Sequence, residues 1–218
     1  MSHEKNPATD QNPAADQVTG LFGGTFDPLH LGHYYLIRQL LDLGHIEQAI
    51  FLPAAIPPHK RHLDITPGHH RLAMLKAAIE SDPDCCVSDY ELAQADICYT
   101  VDTAHHFRSL YGENLRLVIG MDSLQDLHKW VRSDELVANN AFLVYARPGY
   151  PQPDLEELHA SFGRHAEKLL ANIVETKQYD ISSTDVRQRI AAGIDVSDLL
   201  PPAVWDYIQH YRLYRSNL

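Results

Sequence analysis

His30 and His33 stand three residues apart in the stretch GGTFDPLHLGH, behind the adjacent glycines Gly23 and Gly24. If a helix opens at about Leu31, both imidazoles face one side of its N-terminus. That terminus presents main-chain amides and the positive end of the helix dipole, which favour a phosphate. Gly23 and Gly24, lacking a Cβ, let the main chain approach such a ligand closely, and Thr25 and Phe26 complete the loop. The result is a compact anion site. Two histidines at this spacing also suit zinc, but no Glu lies between them as in HExxH and no third ligand is identifiable, so no metal held by the protein itself is expected. Neither GxxxxGK[ST] nor GxGxxG occurs, which argues against a P-loop nucleotidase and an ordinary dinucleotide dehydrogenase.

Other segments offer groups of the same kind. PPHK at 57–60 sets Lys60 behind two prolines that stiffen the loop, either as a cation for the outer phosphates of a nucleotide or as a solvated lysine. ISSTDVR at 181–187 puts Ile181 and the hydroxyls of Ser182, Ser183 and Thr184 ahead of a helix that carries Arg187 one turn in. Those hydroxyls serve as a plain N-cap or as phosphate donors backed by an Arg clamp. Gly120, Asp122 and Ser123 follow the apolar run LRLVIG; Gly120 admits a ligand to the main chain, and Asp122 can cap the next helix. By residue type alone, Trp130 is a packing residue. Tyr99 and Thr100 precede another helical stretch, VDTAHHFRSL.

An alternation of strands and helices must position these groups. VTGLF reads as a strand running into the Gly-rich loop, and LGHYYLIRQLLDLG as a helix with Leu36, Leu40 and Leu43 on one face, stopped by Gly44. QAIFLPA repeats the strand, and HHRLAMLKAAI the helix, with Leu72, Leu75 and Ile79 sharing a face. LRLVIG and AFLVYA look like strands buried on both sides. Helices are expected near TVDTAHHFRSL, DSLQDLHKW, DLEELHASFGRHAEKLL and STDVRQRIAAG, with a final one from about Pro202 that turns Val204, Ile208 and Tyr211 to one side. This order implies an α/β fold, a Rossmann-like doubly wound parallel sheet in a single domain with a C-terminal helical portion. In open parallel sheets ligands bind beyond the carboxyl ends of the strands, where the Gly-rich loop falls.

Length and charge bound the function. The 218 residues suit one domain at ~150 residues apiece. Residues 1–17 have no aromatic or branched aliphatic side chain and read as a flexible tail before a domain spanning 18–218. A formal net charge of −11 disfavours a nucleic-acid face or a polybasic membrane patch. The three cysteines make neither a disulfide framework nor a CxxC site, and no apolar stretch approaches a membrane span or signal segment. Free buried thiols in a reducing, cytoplasmic compartment are expected. His69-His70, His105-His106, His159 and His165 fall on amphipathic helices as solvated or half-buried residues. The composition is compatible with a homo-oligomer as well as a monomer.

GGTFDPLHLGH resembles the signature loop of the HxGH nucleotidylyltransferase superfamily. PPHK, CYTVDT at 98–103, IGMDSL at 119–124 followed by Trp130, RPG at 147–149 and ISSTDVR are similar, in order, to the bacterial nicotinate-nucleotide adenylyltransferases. The similarity covers the chain from Val18 to the last helix. It implies adenylyl transfer from ATP to nicotinate mononucleotide, giving nicotinate adenine dinucleotide and pyrophosphate, with Mg²⁺ arriving on the triphosphate. By this resemblance His30, His33, Lys60 and Arg187 are catalytic. ATP would be held by these with Gly23, Gly24, Thr25, Phe26, Gly120, Asp122, Ser123, Ile181, Ser182, Ser183 and Thr184, Asp122 bonding the ribose. Tyr99 and Thr100 would recognise the nicotinate carboxylate and Trp130 would stack on its ring. Cys98 departs from the Ser or Thr usual before the Tyr-Thr pair but keeps a small side chain. Competing readings are a sister enzyme for nicotinamide mononucleotide or phosphopantetheine, and a non-catalytic nucleotide or metal binder. A class I aminoacyl-tRNA synthetase fragment lacks its KMSKS here.

Overall fold

The apolar runs form one parallel sheet: β1 (Thr19–Gly24), β2 (Gln48–Pro53), β3 (Cys85–Val87), β4 (Leu115–Gly120), β5 (Ala141–Tyr145) and β6 (Ile173–Val174), in spatial order β3-β2-β1-β4-β5-β6. This computed structural model describes residues 14–55, 65–94, 97–146 and 149–215. Helices α1 (Leu31–Asp42), α2 (Gly68–Ile79), α3 (Thr100–Tyr111), α4 (Met121–Asp126), α5 (Ser133–Asn139), α6 (Leu155–Phe162), α7 (Ala166–Ala171), α8 (Ser183–Ala191) and α9 (Pro202–Tyr211) cover its two faces.

Side-chain alternation along the strands divides the core. Phe22, Phe51 and Val118 point into a cluster with α1, α2, α8 and α9. Their neighbours Leu21, Ile50 and Leu117 point the other way, into a cluster with α3 to α7. Both faces are therefore apolar, which is why each central strand reads as a continuous hydrophobic run. The chain leaves β1 toward β2 and later returns to β4 on the other side of β1, so the strand order reverses between β1 and β4. A crevice at such a reversal is where open α/β sheets take ligands.

The structure corrects several details. Leu43 is 60% exposed, because α1 ends at Asp42 and Gly44, at φ 73°, turns the chain away; Ile37 takes its place beside Leu36 and Leu40. On α2 the buried face is Arg71, Met74, Leu75 and Ile79, with Leu72 only half-buried. The expected helix DLEELHASFGRHAEKLL divides into α6 and α7 at Gly163, whose φ of 52° ends the first piece. Tyr211 is half exposed, its ring packed on His70 and Tyr207, while Val204 and Ile208 are buried. Within the segment expected as a tail, Ala14 and Ala15 make bonds to the domain: Gln48 pairs with both main-chain groups of Ala14 at 3.1 and 2.6 Å, and Asn114 donates to the Ala15 carbonyl. Each of these bonds joins a distant side chain to the main chain of the segment, a pairing that composition does not reveal.

Candidate active site

The loop after β1 is built around Phe26. Its φ of 48° is left-handed, costing a non-glycine residue on the order of 1–3 kcal/mol. Burying its ring to 2% exposure against Phe22, Phe51 and His33 returns roughly 1.5–3 kcal/mol. The ring packs so tightly on Gly24 that a Cβ there would lie 2.9 Å from it, whereas a Cβ on Gly23 would meet nothing within 4 Å. The two glycines thus do different work: Gly24 makes room for Phe26, and Gly23 leaves open main chain at the carboxyl end of β1.

Past the loop, His30 caps α1 and is 5% exposed, with its ring stacked on that of His33 at 3.6 Å between centroids. The His30 amide donates to His33 Nδ1 at 3.3 Å. An accepting Nδ1 assigns the ring proton of neutral His33 to Nε2, leaving that nitrogen as a donor. The Leu31 amide is taken by the Leu199 carbonyl at 2.9 Å, so the helix terminus offers a ligand fewer free amides than its sequence suggested.

The amino end of α8 is fastened to this loop. Ser183 Oγ donates to the Pro28 carbonyl at 2.9 Å, and Arg187 Nη1 donates to the Asp27 carbonyl at 2.6 Å. Ser182 is the N-cap, accepting from the Asp185 amide at 3.1 Å. Thr184 is exposed, its hydroxyl 3.4 Å from Arg187 Nη2, and Ile181 packs on the core beside it. The cap and ligand readings of the serines therefore separate, with Ser182 and Ser183 in structural bonds and Thr184 facing out. The Asp27 carboxylate accepts from Tyr214 Oη at 2.7 Å and the Thr66 amide at 3.2 Å. Burial, with Asp27 alongside, pushes the Tyr214 phenol's pKa up, so it donates as a neutral hydroxyl.

At the neighbouring strand end, Gly120 leads into α4. A Cβ there would sit 2.4 Å from Asp122 Oδ1 and 3.2 Å from the Tyr145 phenol, so only glycine lets the Asp122 carboxylate fold back over the strand. Ser123 is half-buried beside it. Trp130 caps the 3₁₀ turn Leu127–Lys129 and packs half-buried on the second core cluster. Tyr99 is the N-cap of α3, its carbonyl accepting from the Asp102 and Thr103 amides, and Thr100 is exposed at the first helical position. An Arg132–Asp102 ion pair ties the segment after Trp130 to the first turn of α3. Cys98 donates to the Glu91 carbonyl at 3.7 Å, the bond a Ser would make, and burial keeps its thiol protonated.

Lys60 and the first two residues of the RPG stretch lie outside the described residues. Sequence reasoning missed Arg71, Glu91 and Tyr214. Arg71 had one signal: a cation in register with Met74, Leu75 and Ile79 on a buried face.

The fold and its loops define a class. A profile of the cytidylyltransferase-like family matches residues 21–189, and the chain belongs to that family. Among relatives, a probable nicotinate-nucleotide adenylyltransferase of Pectobacterium atrosepticum is 36% identical over 91% of this chain and 99% of its own length. One of the same name from Clostridium tetani is 34% identical over 89% and 98%. A solved structure of Plasmodium falciparum nicotinic acid mononucleotide adenylyltransferase complexed with NaAD superposes with a TM-score of 0.73 at 22% identity, over 90% of this chain and 96% of that one.

Proposed function

We propose that this protein transfers the adenylyl group of ATP to nicotinate mononucleotide, forming nicotinate adenine dinucleotide and releasing pyrophosphate. The observation that carries this is the agreement, over about nine-tenths of the chain, with relatives of that name. A phosphate oxygen of the mononucleotide attacks the α-phosphorus, and the bond to the bridging β-oxygen breaks. The nucleophile is already anionic, so catalysis rests on in-line positioning and charge stabilisation rather than on a base.

His33 Nε2 and His30 donate to the phosphates, Arg187 and Lys60 neutralise the departing pyrophosphate, and Gly23, with Gly24, Thr25 and Phe26 shaping the loop, opens the main chain to the triphosphate. Ile181, Ser182, Ser183 and Thr184 form the facing wall. Gly120 and Ser123 border the nucleoside, with Asp122 bonding the ribose. Tyr99 and Thr100 present the amino end of α3 to the nicotinate carboxylate, and Trp130 stacks on the pyridine. Mg²⁺ arriving with ATP would supply charge neutralisation on the triphosphate, with Lys60 and Arg187 adding to it from the protein. No described helix is long and apolar enough to cross a membrane. Cys85, Cys86 and Cys98 are free thiols, the state that the reducing cytoplasm in which we place the protein would maintain.

Pyrophosphate release from Mg-ATP, with nicotinate and nicotinamide mononucleotides compared side by side, tests the reading. A large kcat/KM preference for the acid is expected. Comparable rates would keep adenylyl transfer but remove the carboxylate assignment at Tyr99 and Thr100, and release with neither nucleotide would overturn the reading.

A further inference from the structure

Arg71 is 1% exposed, and its guanidinium makes three bonds to main-chain carbonyls: Nη1 to Thr25 at 2.7 Å, Nε to Thr66 at 2.9 Å and Nη2 to Ala55 at 3.2 Å. A buried cation costs several kcal/mol unless its donors are satisfied, and burial pulls its pKa down while Asp27 pulls it up. A cation solvated only by carbonyls fixes where those carbonyls stand. On its other side Ala55 lies beside Glu91, whose carboxyl pKa its main-chain amide helps to hold down. The same carboxylate accepts from Thr103 Oγ1 at 2.8 Å, one turn into α3. Ala54 meanwhile donates to the Gly24 carbonyl at 2.8 Å. Bonds from Arg71 to Thr25 and Ala55 at one end, and from Thr103 to Glu91 at the other, with Ala55 beside Glu91 between them, therefore link the Gly-rich loop to the helix whose amino end carries Tyr99 and Thr100.

We infer that Arg71, Glu91 and Thr103 are positioning residues that fix the distance between the triphosphate loop and the amino end of α3, and so hold the two substrates in line. The inference rests on the adenylyl-transfer reading. Each substrate touches only one end of the chain of bonds, so breaking its middle leaves each half-site intact and spoils their relative placement. The signature is a fall in kcat without a matching loss of either binary affinity.

Thr103→Val is nearly isosteric and deletes the hydroxyl donor; Thr103→Ser keeps it. In Thr103→Val, kcat is expected to fall ~10-fold or more, the scale of loss when reactants are misplaced by a fraction of an ångström. Binding of a non-hydrolysable ATP analogue and of nicotinate mononucleotide, each measured alone by calorimetry, should stay within about twofold. Thr103→Ser should recover kcat, and Arg71→Lys should reproduce the Thr103→Val pattern. A lower melting temperature with unchanged kcat per folded molecule would overturn the inference, since the chain of bonds would then be structural only. So would a loss of affinity for one ligand that accounts for the whole effect. If the unaltered protein releases no pyrophosphate from Mg-ATP with nicotinate mononucleotide, the activity itself falls and the inference with it.

Discussion

A single hydrogen bond decides what His33 offers. Because Nδ1 accepts from the His30 amide, the proton of the neutral ring lies on Nε2, which in the proposed reaction would donate to an oxygen that gains charge at the α-phosphorus. Replacing His33 by Ala should lower kcat by ~10²-fold, the usual loss for one transition-state donor, with ATP affinity little altered; single-turnover kinetics on folded protein would test it. The glycine pair gives a sharper contrast at the same scale. Gly24→Ala drives a methyl into the Phe26 ring and should lower the melting temperature, whereas Gly23→Ala meets open space and should melt normally while weakening nucleotide binding. Equal melting losses for both would remove the division of labour between them. Side chains announced by residue type, the two histidines and the hydroxyls ahead of α8, were legible. Arg71, Glu91 and Tyr214 were not, because their partners are carbonyls, amides and carboxylates brought near only by folding.

The elements that could be read in advance were those long enough to show a period. β1, β2, β4 and β5 run five or six residues and are buried along most of that length, and α1, α3 and α9 bury a regular stripe. The edge strands β3 and β6, of three and two residues, fall below any period, and α5 is two turns joined to what precedes it by Arg132 at φ 53°. The Arg132–Asp102 pair ties the segment after Trp130 to the first turn of α3, the helix that opens at Tyr99 and Thr100. Trp130→Ala is therefore expected to weaken nicotinate mononucleotide binding by ~1–3 kcal/mol, as stacking lost on one base-like ring, and to leave ATP binding unchanged. Titration of each ligand separately reads this directly, and equal losses for both would mark Trp130 as packing alone.

For the whole molecule, the buried polar groups near the sheet's carboxyl edge carry a pH signature. Burial lifts the Glu91 carboxyl above its ordinary 4.5 despite the Thr103 and Ala55 bonds that lower it. The folded state thus holds this proton more tightly than the unfolded one. Its stabilising contribution is complete below 4.5 and is lost as pH rises through the folded value. Glu91→Gln cannot ionise and escapes that loss, so its melting temperature relative to the unaltered protein should climb between acid and neutral pH; a difference flat with pH would contradict it. The thiols behave alike, burial pushing Cys86 up to about 12, which makes both Cys85 and Cys86 inert core residues rather than nucleophiles.

The bond from Tyr214 to Asp27 spans 187 positions of chain. During synthesis, the loop after β1 emerges early and the sheet can begin to form around it, but the phenol that fastens Asp27 does not yet exist. The strand beside it at the reversal, β4, begins only at Leu115. Contacts this distant in sequence form late, after the local helices. The loop after β1 is thus fastened in stages along the chain, by Arg71, then Ser183 and Arg187, and last by Tyr214, which follows α9.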